Sequence, residues 1–309
     1  MSPIVSASSL FHARRPLLVG FALALLAAVL FSAKAIVVKL AYRYPVDAVT
    51  LLALRMVLSL PCFALAAWWS RRNAHAPLAR GDWLRIGVLG LTGYYLASFL
   101  DFLGLQYIGA GLERLILFLY PTLVMLMNVW WLKRSVSRAQ WVALVVSYVG
   151  IAVVFAHDVS IGGTHVALGS ALVFASAVSY AVYLFSSGEL VQRVGTIRLT
   201  AYATIVAAVL CIAQFAITHR IDTLVALPAG VWALSAINAL FCTVIPVFAT
   251  MAAIARIGAA SVSITGMIGP VSTLALAAIA LQEPITPIQV VGTVFVLAGV
   301  FLATRAGRR

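Results

Sequence analysis

Residues 108–121, IGAGLERLILFLYP, return 149 positions later as residues 257–270, IGAASVSITGMIGP. Both copies open with Ile-Gly-Ala and end on a proline. The same shift relates other residues of the two halves: Gly20 to Gly169, Ala28 to Ala177, Leu132 to Leu281, Gln140 to Gln289 and Gly150 to Gly299. Internal duplication in an apolar chain is typical of transporter folds that are built from two related halves.

The composition is that of a membrane protein. Of the 309 residues, 64% are hydrophobic and only 9% are charged, whereas soluble domains carry roughly a quarter charged residues. A helix needs about 20 apolar residues to cross roughly 30 Å of hydrocarbon. Continuous apolar runs of this length fill nearly the whole chain, which favours helices over a membrane barrel. We predict ten spans: 16–38, 48–69, 84–105, 110–132, 140–156, 166–187, 199–218, 229–253, 259–281 and 288–305.

The spans and the repeat together predict the fold class. We expect an all-α polytopic membrane protein with ten transmembrane helices, arranged as two inverted five-helix repeats. The first repeat is predicted over residues 16–156 and the second over residues 166–305, with a short polar joint at 157–165. Because each repeat has an odd number of helices, the second copy is inverted relative to the first. Inverted repeats place a substrate site near the bilayer midplane, where the two copies meet.

The basic residues predict the orientation of the chain. A net charge of +13 is compatible with binding to nucleic acid, but the position of the charges argues against that function. With both termini in the cytoplasm, fifteen basic residues fall on the inner side and three, Lys39, Arg43 and Arg220, on the outer side. This distribution is a positive-inside bias. We therefore predict an integral protein of the bacterial cytoplasmic membrane that contacts lipid and does not bind nucleic acid.

Short motifs in the second half resemble those of a known family. They are Pro270, Leu281-Gln282-Glu283, Thr286, Gln289 and Gly299. In this order they resemble the second repeat of the EamA family, in the drug/metabolite transporter superfamily. Arg55, within Leu54-Arg55-Met56, stands where that family often carries an arginine in its second helix. The run from Gly111 to Pro121 is similar to one bacterial subgroup of these permeases.

The resemblance covers roughly residues 18–304 and has one departure. Arg134 stands where the other copy carries the acidic Glu283. The resemblance implies ten helices and solute export. It does not imply a particular substrate, because the cargoes of the family range over amino acids and other metabolites.

Five charged residues lie inside predicted spans of the first repeat: Lys34, Arg55, Asp101, Glu113 and Arg114. A charge at the centre of a membrane helix costs about 2.5–3.5 kcal/mol on insertion scales, so each needs a partner, water or a role. One hypothesis is a substrate and proton pathway, in which the two acids pair with two of the cations and the remaining positive charge binds an anionic group. Protonation of either acid then changes this balance.

The alternative hypothesis for these charges is structural. Asp101, Glu113 and Arg114 can form an internal ion-pair network that fixes the third and fourth helices. Arg55 can bind backbone carbonyls at the outer side or extend towards the interface. The residues alone leave both hypotheses open.

Four tyrosines extend the predicted pathway: Tyr94, Tyr120, Tyr180 and Tyr183. Helical spacing places Tyr94 on the face of Asp101 and Tyr120 on the face of Glu113. A tyrosine has an apolar ring and a polar tip, which suits amphipathic metabolites, although aromatic stripes also serve as packing surfaces. Pro121 and Pro270 are predicted as a symmetric pair of gating hinges, because proline removes a helical hydrogen bond. Static packing is the alternative.

Enzyme motifs are missing from the sequence. The five histidines have no metal-ligand spacing, and there is no Walker loop, Gly-x-Ser-x-Gly turn or Cys-x-x-Cys pair. We therefore predict no catalytic residue, no metal and no cofactor. The predicted function is a monomeric secondary transporter that exports small polar, amino-acid-like metabolites by alternating access. The alternative is a non-transporting integral membrane subunit or scaffold.

Overall fold

The computed structural model describes the backbone of residues 7–72, 78–133 and 137–306, and the side chains of residues 17–72, 78–133, 137–258 and 261–302. Every regular element in these ranges is helical. The α-helices are α1 (Ala7–Ala41), α2 (Ala48–Arg72), α3 (Arg80–Leu89), α4 (Ala97–Gly104), α5 (Ala110–Leu117), α6 (Tyr120–Leu132), α7 (Arg138–Val194), α8 (Thr196–Thr218), α9 (Asp222–Val225), α10 (Ala229–Ala239), α11 (Ile245–Gly266), α12 (Gly269–Leu276) and α13 (Pro287–Ala306). Wider π-helical turns occupy Gly90–Leu96, Leu240–Val244 and Ala277–Leu281.

The helices confirm a membrane-spanning, all-helical chain. Within the described ranges, eight helical stretches are long and apolar enough to cross a membrane. One of the eight is α7, which has 57 residues. A further apolar stretch, Pro287–Leu302, is shorter than the others. The predicted count of ten requires α7 to cross twice and α13 to cross once, and it stays a prediction.

The predicted joint at 157–165 is helical on both sides of a single break. Gly163 has φ 62° and ψ −144°, a conformation that residues with a side chain rarely adopt. His157 and Asp158 lie within the helix, where His157 Nδ1 is 3.1 Å from Asp158 Oδ1. Polar side chains at a helix surface need water or a partner, but they do not require the helix to end. The sequence therefore predicted where the joint lies. Within the joint, Gly163 is the residue at which the helical backbone is interrupted.

The two halves contact each other through reciprocal pairs of residues. A methyl group built on Gly20 of α1 would lie 2.5 Å from Ile257 Cγ2, and one built on Gly169 would lie 2.8 Å from Ile108 Cγ2. Gly169 and Ile108 are the 149-residue counterparts of Gly20 and Ile257, with the halves exchanged. This exchange is the contact pattern of a two-fold relation. Glycine is needed at both places because the helices approach closely.

A second reciprocal contact joins α7 to α13. A methyl group built on Gly150 would lie 2.9 Å from the carbonyl oxygen of Gly292, and one built on Gly299 would lie 2.5 Å from that of Ala143. These four residues are again exchanged by the 149-residue shift. The α1–α11 and α7–α13 contacts are the most extensive helix pairs in the described structure. The repeats are therefore packed against each other along their length and do not form separate domains.

Irregularities of the helices recur with the same shift. The break between Leu117 and Tyr120 is followed by Pro121, and the break between Gly266 and Gly269 is followed by Pro270. Each proline is in the first turn of the next helix, where its missing N–H is tolerated. Left-handed residues also repeat, since Lys133 has φ 49° and its counterpart Gln282 has φ 60°. The duplication therefore preserves the bends of the chain as well as its packing.

Asp47 caps helix α2 in the turn outside the membrane-spanning segments. Its Oδ1 accepts hydrogen bonds from the N–H groups of Val49 (2.7 Å) and Thr50 (3.0 Å). Its Oδ2 accepts from Thr50 Oγ1 (2.7 Å) and is 3.1 Å from His219 Nε2 at the end of α8. Burial alone raises the pKa of this carboxyl, but the bonds from Thr50 and Val49 and the nearby His219 outweigh burial and lower it. The cap thus connects α2 with α8.

We expect Asp47→Ala to lower the free energy of unfolding by about 1 kcal/mol at neutral pH, the usual cost of losing an N-cap. Because the pKa of Asp47 is lower in the folded state, its stabilisation is complete above the unfolded pKa of about 3.9 and is lost as the pH falls through the folded value. Denaturant unfolding in detergent at several pH values measures this loss.

The matched control for this prediction is Asp222→Ala. Asp222 is an exposed acid whose Oδ2 lies 3.7 Å from Arg220 Nη2, and exposed pairs contribute little. An equal loss in both variants, or a deficit in Asp47→Ala that persists unchanged at acid pH, contradicts the assignment of Asp47 as a charged cap.

Candidate solute site

Lys34 brings the two predicted acids together. Its Nζ donates to Asp101 Oδ2 at 2.5 Å and lies 3.6 Å from Glu113 Oε1. The three side chains come from α1, α4 and α5. Lys34 is seven residues before the end of α1 and Glu113 three residues after the start of α5, which is about 10 Å and 5 Å along the axes. The charge cluster, defined as Lys34, Asp101 and Glu113, therefore lies one to two turns below the helix ends.

The acids of the charge cluster have carboxylate oxygens that accept no hydrogen bond in the described structure. Asp101 is 2% exposed and Glu113 is fully buried. Asp101 Oδ1 and both carboxylate oxygens of Glu113 accept no hydrogen bond from the described part of the protein. Buried polar atoms in folded proteins nearly always have a protein or water partner. These oxygens are therefore suited to accept hydrogen bonds from water or from a polar solute.

Arg55 flanks the charge cluster on α2. Its Nη2 donates to Ser98 Oγ at 2.9 Å, and its guanidinium carbon lies 4.9 Å from the centre of the Phe102 ring. The residue is 5% exposed, so it does not extend to the interface. No carboxylate of the described residues lies within 4 Å of it, and its Nε has no acceptor there. Arg55 is thus a buried cation that is held by a hydroxyl and a ring.

Arg114 lies beside the helix break of the second repeat. A methyl group built on Gly269 would lie 2.7 Å from Arg114 Nη2. Ser32 Oγ of α1 lies 3.0 Å from the Gly269 carbonyl oxygen and 2.7 Å from that of Ala28, and its one hydroxyl hydrogen is shared between them, so the break contacts α1 as well. Both acids pair with Lys34 rather than with Arg114. The ion pairs therefore connect α1 with α4 and α5, a connection that the sequence hypothesis of an Asp101–Glu113–Arg114 network did not include.

The four predicted tyrosines form a continuous row. The hydroxyl oxygens of Tyr94 and Tyr183 are 3.2 Å apart. The ring centres of Tyr183 and Tyr180 are 5.6 Å apart, and those of Tyr180 and Tyr120 are 5.3 Å apart. A methyl group on Gly93 would overlap the Tyr183 ring, so this glycine permits the approach. The tyrosine row, defined as Tyr94, Tyr183, Tyr180 and Tyr120, joins the second-repeat part of α7 to the π turn after α3 and to α6.

A cleft opens above the charge cluster, at the end of α1. Lys39 Nζ donates to the Ile108 carbonyl at 2.8 Å and lies 3.9 Å from Glu283 Oε1. Glu283 Oε2 accepts from the N–H of Ala110, the first residue of α5, at 3.2 Å. The cleft has a volume of about 300 Å³, and its lining residues are Lys39, Tyr42, Arg43, Leu105, Gln106, Leu281 and Glu283. Glu283 therefore bridges α1 and α5, the helices that carry Lys34 and Glu113.

Sequence reasoning found the charges and tyrosines but not their partners. It missed Ser32, which contacts the Gly269 break, and the pairing of Lys39 with Glu283. The Lys39–Glu283 pair could have been suspected from the sequence, because the first repeat has Arg134 at the position where the second has Glu283. Within the described ranges, no three His, Cys, Asp or Glu side chains come together as metal ligands.

We expect Glu283→Ala to lower the free energy of unfolding by about 1–2 kcal/mol, because the Ala110 N–H loses a charged acceptor in a partly exposed place. Glu283→Gln keeps an amide oxygen as acceptor and loses less. Thermal unfolding in detergent measures both. Glu189→Ala is the control, since Glu189 is exposed and lies 3.5 Å from Arg85. If Glu283→Ala unfolds like Glu189→Ala, the bridge does not hold α1 to α5.

Comparison with known proteins agrees with this architecture. The chain is 30% identical over 287 residues to the uncharacterized transporter YcbK of Bacillus subtilis strain 168, which covers 89% of the chain and 90% of the relative. It is 27% identical over 219 residues to the uncharacterized transporter YyaM of the same strain, which covers 70% and 72% of the two chains. A solved crystal structure shares the fold with a TM-score of 0.65 at 17% identity, and the match covers 94% of this chain and 98% of the other.

The family comparison matches the chain twice. The model of the EamA-like transporter family matches residues 18–156 and again residues 167–305. The family and the names of the relatives indicate a membrane transporter rather than an enzyme. Together with the reciprocal packing of the two halves, these matches show that the chain belongs to the EamA-like transporter family.

Proposed function

We propose that the chain is a secondary transporter that exports small polar, amino-acid-like metabolites by alternating access. The observation that carries the proposal is the charge cluster, in which one ammonium group faces two buried carboxylates that have free acceptor atoms. Intramembrane ionisable groups most often mark solute or proton pathways. The tyrosine row lies near Arg114, the residue after Glu113, because Tyr120 and Tyr180 interact electrostatically with Arg114. Its apolar rings and polar hydroxyls make a surface suited to amphipathic metabolites.

The proposal includes ten spans in two inverted repeats, residues 16–156 and 166–305. Helix α7 has 57 residues, which is about 85 Å at 1.5 Å per residue. This length is about twice the full thickness of a bilayer. The Gly163 break near its middle is therefore the place where the chain turns back into the membrane. The reciprocal contacts of Gly20 and Gly169 support the pseudo-two-fold relation of the repeats.

We further propose that the protein is a monomer in a bacterial cytoplasmic membrane, with both termini in the cytoplasm. Six tryptophans support this orientation, because all are exposed at helix ends that carry the basic loops: Trp68, Trp69, Trp83, Trp130, Trp131 and Trp141. The guanidinium carbon of Arg72 lies 3.9 Å above the Trp68 ring. Tryptophan is enriched at both headgroup interfaces, and the excess of basic residues beside these six supports the cytoplasmic side.

Alternating access requires positions where helices can bend. At the breaks before Pro121 and Pro270 the regular helical pattern is interrupted by shorter-range bonds, from the Leu119 N–H to the Ile116 carbonyl (3.1 Å) and from the Ile268 N–H to the Thr265 carbonyl (3.2 Å), and each proline removes a further donor. The second break contacts the rest of the site, because Ser32 Oγ lies 3.0 Å from the Gly269 carbonyl oxygen and Arg114 lies beside that glycine. We propose that the two breaks act as a symmetric pair of hinges.

We propose proton coupling because the charge cluster has two carboxylates and one ammonium group. Lys34 can balance one carboxylate, and Arg55 and Arg114 supply further positive charge in the same region. When Glu113 or Asp101 takes up a proton, the net charge becomes more positive and favours an anionic group of the solute. Loss of the proton reverses this preference. The two acids are therefore proposed as the proton-sensitive part of the solute site.

The proposal predicts that liposomes reconstituted with the protein and loaded with metabolite pools show counterflow. Glu113→Gln and Asp101→Asn remove the titrating groups, and we expect the rate to fall at least about tenfold and to lose its pH dependence, as for essential acid–base groups. Mass spectrometry of the exchanged pool identifies the solute.

Asp222→Asn is the matched control, because Asp222 is an exposed acid far from the cluster in sequence. A folded wild-type protein that moves no solute from broad pools would support the non-transporting subunit instead. If both acid variants transport normally at every pH, proton coupling through Glu113 and Asp101 is wrong.

A further inference from the structure

Helix α10 and the π turn after it present a buried stripe of four residues. Val231, Ser235 and Asn238 have no exposed surface, and Cys242 is 2% exposed. Their spacing of four, three and four places them on one face of a helix. An asparagine and a serine in the buried face of a membrane helix are costly unless they have partners or a role. The stripe lies in the second repeat, outside the cluster of charges.

The α10 stripe faces the helices that carry Lys34 and Arg55. Val231, at its outer end, packs in one apolar cluster with Ala35 and Val38 of α1 and Leu51 of α2. At its other end, Cys242 lies close enough to Lys34 and Arg55 to interact electrostatically with both cations. Asn238 lies between these two ends on the same face. Its amide is therefore directed to the region between α1 and α2.

The polar groups of the stripe have no partners in the described structure. Asn238 Nδ2 and Oδ1 and Ser235 Oγ make no hydrogen bond, and neither does Arg55 Nε on the opposing helix. Elsewhere in the described structure some groups of these kinds are satisfied, whereas the buried Ser147 and Ser170 also lack a partner. The buried Ser176 Oγ donates to the Ala97 carbonyl at 2.6 Å, and Nδ2 of the half-buried Asn128 donates to the Val124 carbonyl at 2.7 Å. The stripe is distinguished by two adjacent unsatisfied residues, including both amide atoms of Asn238, on a helix that packs against α2, which carries the unpaired Arg55 Nε.

We infer that Asn238 and Ser235 line the same aqueous solute site as Lys34 and Arg55, and that they bind an uncharged hydroxyl or amide group of the solute. This inference rests on the proposed transport function. The charges of the first repeat bind the charged groups of a solute. The Asn238 amide has both a donor and an acceptor, so it is complementary to a group that also has both.

This arrangement makes Asn238 a specificity residue. A solute with a hydroxyl or amide satisfies the Asn238 amide, whereas an apolar solute of the same shape leaves it buried and unpaired. Sites that hydrogen-bond a solute group reject the analogue lacking it far more strongly than apolar pockets reject a change of size. The second repeat thereby selects the side group, while the first repeat selects the charge.

Labelling of single cysteines tests the position of Asn238 without a known solute. In a chain whose Cys62, Cys211 and Cys242 are replaced by alanine, Asn238→Cys is treated with a charged methanethiosulfonate reagent, which reacts only with thiols that meet water. Ser147→Cys is the control, because Ser147 Oγ is also buried and unpaired but packs against Gly299. We expect Asn238→Cys to react at least about tenfold faster. Equal rates, or no reaction at 238 in a protein that remains folded, overturn the inference.

Counterflow of threonine and valine tests the specificity. These solutes differ by a hydroxyl in place of a methyl group. We expect Asn238→Leu to reduce the ratio of threonine to valine exchange about 5- to 30-fold, the equivalent of one or two lost hydrogen bonds, while Asn128→Leu leaves the ratio unchanged. An unchanged ratio in Asn238→Leu overturns the role in specificity. If the wild type exchanges no solute, the transport proposal fails, and the labelling result alone decides whether Asn238 faces water.

Discussion

Lys34 places one ammonium group between two buried carboxylates, 2.5 Å from Asp101 and 3.6 Å from Glu113. In a medium of low dielectric constant, each acid depends on this cation, and removal of one partner from such a group leaves an uncompensated buried charge. The three residues lie on α1, α4 and α5, so the ion pairs also fix the relative positions of these helices. The outer bridge of Lys39 and Glu283 connects the same α1 and α5 nearer to the surface.

The backbone and packing around this cluster are repeated in the two halves, but the polar side chains are not. Gly20 and Gly169, like the breaks before Pro121 and Pro270, repeat with the 149-residue shift and pack reciprocally. The charges belong to the first repeat, whereas the uncharged polar stripe of Ser235 and Asn238 belongs to the second. Such a division separates two requirements. In the proposed alternating access, the symmetric bends give two equivalent rearrangements, and the asymmetric side chains give the proposed site one defined chemistry.

The sequence predicted the features that depend on local composition or on periodicity. Apolar length indicated membrane-spanning helices, because about 20 consecutive apolar residues suffice to encode a span. The prolines that recur with the 149-residue shift indicated the paired breaks. The sequence did not predict which cation pairs with the acids. Arg114 is adjacent to Glu113 in sequence, but packing directs its side chain to Gly269 and brings Lys34 from another helix to Glu113. The contribution of Asn238 was equally hidden, because its burial depends on how α10 packs against α1 and α2.

A double-mutant cycle on Lys34 and Glu113 tests most directly whether the shared ammonium organises the site. The free energy of unfolding in detergent is measured for Lys34→Met, for Glu113→Gln and for the double variant. Lys34→Met alone is predicted to cost about 3–5 kcal/mol because two carboxylates lose their cation. The double variant should cost less than the sum of the single changes by at least about 1 kcal/mol, the size expected for residues in one ion-pair network. Strictly additive losses would contradict the account.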